Sequence, residues 1–161
     1  SFNKLNWVDP IETWGSFRAA RKAKVISRNQ GYEKDRFFSE ASHDAFLKFG
    51  INYKRRIEVS SNNKNLNLVV KDKISTTRKI KFKLWFHLSP FLEQEFLENL
   101  DIYIYPYVEI KRKLYKTTNS LSFGRIRFRN SLEVSGTLDK GCYSIISKKI
   151  FSNQLFKKIV P

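Results

Sequence analysis

The residues of this chain that could do acid–base, metal or nucleophilic chemistry are few and scattered. Its two histidines, His43 and His87, are far apart, and no His-x-His or His-Glu-x-x-His spacing is present to close a zinc site. There is no glycine-rich phosphate loop and no Gly-x-Ser-x-Gly elbow, and Gly124 reads as a turn or bulge. Cys142, between Gly141 and Tyr143, reads as a small buried apolar residue rather than a reactive thiol. What remains is anion contact and ring stacking. In the run Glu12 to Val25, Trp14 and Phe17 stand beside Arg18 and Arg21. Two readings are open there: core anchors, or arginines that reach an anion or an internal carboxylate.

The second such run is Lys79 to Leu88. Ile80, Phe82, Leu84, Phe86 and Leu88 fall on one side of an alternating strand, and Lys79, Lys81, Lys83, Trp85 and His87 fall on the other. The second face offers a sugar stacking area and charge, or else packs against a neighbouring sheet.

The elements that must position these residues are strands. Tyr53 to Val59 and Leu66 to Val70 form a hairpin closed by the short polar residues Ser60 to Asn65. Ile102 to Leu114 is a strand run interrupted at Pro106, which marks an edge or a break. Ile126 to Phe128, Leu132 to Val134 and Tyr143 to Ile146 are further short strands. Helical turns are confined to Pro90 to Glu98 and to His43 to Phe49, the latter ending at Gly50. The expected fold is an all-β antiparallel sandwich over residues 1–161, part of a larger stacked-sheet domain, with one or two short helical turns.

A chain of 161 residues with 41% hydrophobic content can build a sizeable core. It opens on Ser1 and contains no Met, so it reads as a fragment of a longer protein. No stretch is long and apolar enough to span a membrane. Lys and Arg number 31 against 15 Asp and Glu, a formal charge of +16 that attracts polyanions without choosing among them. A compositional drift toward Lys and Asn accounts for the same charge equally well. A nucleic-acid module is disfavoured, because no helix-turn-helix, zinc-finger or RRM signature is present and the charges are spread over many strands.

Several runs, in order, resemble heparinase II/III-like proteins. The run ETWGSFRAARKAKV is similar to that family's Trp-Gly-x-Phe-Arg-x-x-Arg-x-Ala segment. The stretch SEASHDAFLKFGINYKRRIEV resembles its Ala-x-His-Asp-Gly-Tyr segment and its His-Arg-Arg strand, with Ala45-Phe46 where Gly-Tyr is usual and Lys54 where histidine is usual. LNLVVKDKI and KIKFKLWFHLSP resemble its Val-Val-Asp-x-Leu and Phe-His-Leu-x-Pro strands. The matches run from about Asp9 to Pro90, and the remainder agrees only in being β.

The resemblance implies the carboxy-terminal β-domain of a lyase that cleaves uronate-containing polysaccharide, such as glycosaminoglycan or alginate, by β-elimination. The partners it implies are the acidic polysaccharide and an amino-terminal α/α-toroid of the parent chain, in a periplasmic or secreted setting. The family's acid and base lie in the toroid and early β-strands, and its metal-binding His-Asn-Thr histidine falls just before Ser1. No catalytic or metal residue is therefore assigned here; a zinc or calcium ion belongs to the parent protein, and no cofactor to this segment. The candidate substrate-binding residues are His43, Arg18, Arg55 and His87. His43 either lines the cleft or holds a loop, and Arg55 and Arg56, as neighbours in a strand, face opposite ways. The competing expectation is a non-catalytic carbohydrate-binding or scaffolding β-domain.

Overall fold

The computed structural model describes residues 8–10, 19–62, 65–89, 95–122 and 125–152. Their strands are β1 (Val8–Pro10), β2 (Ala19–Lys22), β3 (Val25–Glu33), β4 (Arg36–His43), β5 (Ile51–Ser61), β6 (Asn65–Thr76), β7 (Ile80–His87), β8 (Asp101–Tyr105), β9 (Ile110–Ser122), β10 (Arg125–Leu138) and β11 (Gly141–Ser152). All described pairings are antiparallel. They form a six-stranded sheet of order β3-β4-β5-β6-β11-β8, a three-stranded sheet β7-β10-β9, and the pair β1-β2.

The two larger sheets make the sandwich, and the alternation of β7 is what joins them. Ile80, Phe82 and Leu84 are buried with Leu132, Val134 and Leu138 of β10, against Ile51, Ile74 and Ile145 of the six-stranded sheet. Each such side chain contributes about 1.5–3 kcal/mol by leaving water. Gly136 makes room in this layer. It pairs with Phe82, whose ring lies so close that a Cβ at Gly136 would come within 2.9 Å of it and within 3.0 Å of the Glu109 carbonyl.

The hairpin expected between residues 53 and 70 is present and longer, and Asn62 closes it. The Asn62 N–H donates to the Asn65 carbonyl at 2.9 Å, and the Asn65 N–H donates to Asn62 Oδ1 at 2.7 Å. A 3₁₀ turn at Leu47–Phe49 leads into β5, and Gly50 ends it in the left-handed region at φ 71°. The second expected helical run yields α1 (Glu95–Glu98), with Pro90 to Gln94 outside the described residues.

Three expectations are corrected. Residues 126–128 and 132–134 are not separate strands: Asn130 pairs with Lys116 inside an unbroken β10. Cys142 is exposed, because it sits on the side of β11 turned away from Ile145 and the core. β3 and β4 were not anticipated; β3 is exposed along nearly its whole length, so it has no apolar alternation to read. Pro106 marks both a break and an edge, since β8 borders the six-stranded sheet while β9 enters the other. Among the described residues no helix is long and apolar enough to cross a membrane.

Candidate functional site

The face of the three-stranded sheet turned away from the core carries Lys81, Lys83, Trp85 and His87 on β7. In register on β10 stand Thr137, Ser135, Glu133 and Ser131, followed on β9 by Lys111, Lys113 and Tyr115. Alternation alone places these residues together, because their neighbours in sequence fill the core. The aromatic rings form a row. Trp85 lies 5.4 Å from Tyr115 and 6.0 Å from His87, with the last two rings nearly parallel at 12°. Lys113 sits 4.9 Å over the Tyr115 ring.

Hydrogen bonds fix this row from beneath. His87 Nδ1 and Ser131 Oγ are 2.8 Å apart, and Ser131 Oγ is 2.6 Å from Thr117 Oγ1. Lys83 Nζ donates to the buried Glu133 carboxylate at 2.9 Å, which holds the ammonium pKa above its ordinary value. Burial and the Arg129 charge push the His87 imidazole below its ordinary range, so at neutral pH the ring is uncharged. The surface offers rings for stacking and cations for anionic groups.

His43 and Arg55 come together on the six-stranded sheet, through Tyr53 and Asp72. Arg55 Nε and Nη2 donate to Asp72 Oδ1 and Oδ2 at 2.7 and 2.9 Å, and the Tyr53 hydroxyl donates to Oδ1 at 2.7 Å. The Asp72 side chain is wholly buried and that of Arg55 is 38% exposed. Burial opposes the charge on Arg55, but the Asp72 hydrogen bonds outweigh it and raise the guanidinium pKa. Burial, and then the Asp72 charge, raise the Tyr53 pKa, so this hydroxyl is a donor and not a base. The His43 ring packs 5.4 Å from both Tyr53 and Phe46. Burial lowers its pKa, partly opposed by Asp44.

Arg56 points the other way, as the alternation requires. There Glu58, only 4% exposed, accepts from Arg36 at 3.2 Å, Arg56 at 2.8 Å and Lys71 at 2.7 Å. Burial raises its pKa and these donors more than reverse that, so the carboxyl is held below its ordinary value. Arg56 also pairs with Glu33 and covers the Phe38 ring at 4.0 Å.

Of the candidates, then, His43 and Arg55 share a buried network, His87 lies on the other sheet, and Arg18 lies outside the described residues. Tyr53, Asp72, Tyr115 and Glu58 escaped sequence reasoning. Asp72 was findable, since counting outward in equal steps from the turn at Asn62–Asn65 sets it opposite Arg55. Among the described residues no three His, Cys, Asp or Glu side chains converge on a point that would hold a metal ion.

The model of the family described as heparinase II/III-like, C-terminal, matches residues 5–151. No curated protein matches the chain. Among solved structures, the heparan sulfate lyase HepC from Pedobacter heparinus is similar with a TM-score of 0.59 at 10% identity, over 83% of this chain and 22% of that one. A heparinase III gene product gives 0.57 at 10% identity, over 81% and 21%. Another heparinase III gives 0.52 at 12% identity, over 81% and 21%. At these identities the likeness is one of fold. The chain spans about a fifth of the length of the structures it matches.

Proposed function

Because this chain belongs to the heparinase II/III-like C-terminal family, we propose that it serves as the non-catalytic β-domain of a lyase acting on uronate-containing polysaccharide. The observation that carries this reading is the Tyr115–Trp85–His87 row with Lys83 and Lys113 against it. Rings that stack on sugars and ammonium groups that meet carboxylate or sulfate are the combination an acidic glycan requires.

In the proposed parent reaction, a base takes the proton α to the uronate carboxylate. A carbon–carbon double bond forms, the bond to the glycosidic oxygen breaks, and an acid protonates that oxygen. The residues that move those protons are assigned to the amino-terminal toroid and early strands of the parent. This domain holds the polymer and braces the cleft, and Asp72, Arg55 and Tyr53 keep the sheet under it in register. The setting proposed is periplasmic or secreted.

The test is ultraviolet detection of unsaturated uronate products from the parent protein with heparan sulfate, alginate and other acidic glycans. Product from at least one glycan, with Trp85→Ala raising KM more than it lowers kcat, is the expected result. Absence of product from all of them would overturn the lyase assignment.

A further inference from the structure

The outward face of the six-stranded sheet, on the far side of the sandwich from Trp85, carries a second and differently built surface. Cross-strand register places Ser42 beside Lys54, Lys54 beside Lys73, Lys73 beside Ser144, and Ser144 beside Tyr105. Directly paired residues share a face, so these five form one row running across β4, β5, β6, β11 and β8. Strands lie about 4.8 Å apart, close to the repeat of a pyranose chain, so the row presents one side chain per sugar unit. Two adjoining cavities of about 310 and 540 Å³ share Lys54 and Lys73, and together they make a groove along it.

The charges on this groove are unevenly spent. Arg36, Arg56 and Lys71 converge on Glu58, and Lys54 Nζ holds Glu40 at 2.8 Å. Lys73, midway along the row, has no ion-pair partner among the described residues. The hydroxyls of Ser42, Ser75 and Ser144 and the Asn52 amide line the same wall. At the sheet edge Tyr105 is 78% exposed and Tyr103, on the same face, is 60% exposed. Large rings left in water on the same face as a cation with no ion-pair partner among the described residues, and a line of hydroxyls, suit a sugar chain bearing negative groups.

We propose that this groove is a second, non-catalytic binding site for an acidic oligosaccharide, with Lys73 meeting a carboxylate or sulfate and Tyr105 stacking on a sugar ring. It rests on the functional reading above only for the class of ligand. Because the groove and the Trp85 face lie on opposite sides of the sandwich, one bound segment cannot use both. The two sites hold separate stretches of polymer.

Cys142, the single cysteine of the chain, lines this groove and is exposed, so its thiol reports on occupancy. The experiment measures the rate of Cys142 alkylation in the full chain with a sized heparan sulfate oligosaccharide, and with a DNA oligonucleotide of equal charge. Protection by the glycan and not by DNA is expected. Lys73→Ala and Tyr105→Ala should weaken protection about three- to tenfold, while Tyr105→Phe and Trp85→Ala retain it. Protection that survives both alanine variants, or that DNA supplies equally, would overturn the site. Lyase product from the parent without Cys142 protection removes the groove alone; protection without product removes the lyase reading alone.

Discussion

Arg55 and Asp72 stand directly opposite each other on β5 and β6, joined by two parallel hydrogen bonds of 2.7 and 2.9 Å. Their burial is unequal: water reaches one side of Arg55 and none of the Asp72 side chain. Removing the arginine therefore strands a buried charge, with the Tyr53 hydroxyl as its remaining hydrogen-bond partner among the described residues. Arg55→Ala should cost about 3 kcal/mol, and the double change Arg55→Met with Asp72→Leu should cost less than the single one. Urea unfolding of the three proteins checks the order.

The Glu58 carboxylate gathers three cations while almost wholly buried. Its folded pKa lies below the unfolded value, so its contribution is fully present above about pH 4.5 and is lost as pH falls through the folded value. Glu58→Gln should destabilise by about 1–3 kcal/mol at pH 7. The gap between the two proteins should narrow as pH drops below 4.5. Thermal unfolding across pH 7 to 2.5 reads this out, and a gap constant with pH would contradict it.

The absence of a side chain at Gly136 lets the Phe82 ring cross the middle of β10. A methyl group there meets both the ring and the Glu109 carbonyl, and the carbonyl belongs to backbone that cannot swing aside. Gly136→Ala should lower stability by about 1–3 kcal/mol. Adding Phe82→Leu should recover part of that loss in a denaturant titration.

With its pKa pushed below the ordinary value of 6.5 by burial and by Arg129, His87 is neutral at pH 7.5 and charges on acidification. Each proton gained adds a positive charge beside Trp85. Binding of an acidic glycan to this face should tighten about two- to fivefold between pH 7.5 and 5. His87→Gln should abolish that increment, whereas His43→Gln, on the other sheet, should leave it. Calorimetric titrations at fixed ionic strength would measure it, since salt screens such contacts.

Much of the architecture was written locally. The alternation in Lys79 to Leu88 named the buried and outward faces of β7 correctly, because one buried face enforces a period of two. The short polar run after Ser60 named the hairpin, and Gly50 the end of a helical turn. β3 stayed hidden because an exposed strand carries no such period, and β4 because the residues it buries alternately, Phe38 and Ser42 with Glu40 between them, are mostly polar and form no apolar stripe. The break inferred at Asn130 failed because its pairing with Lys116 in β9 and the Leu88 N–H donated to its carbonyl on the other side outweigh a turn preference.

The order of the runs also pointed to the family. A strand's own sequence can say which side of it is buried, but not which strand it will lie beside. Pairing at long range set Trp85 against Tyr115, joined His43 to Asp72 through Tyr53, and brought Lys54, Lys73, Ser144 and Tyr105 into one row. Those neighbours are fixed by register and by the choice of sheet, which depend on how all the apolar faces close together on a single core.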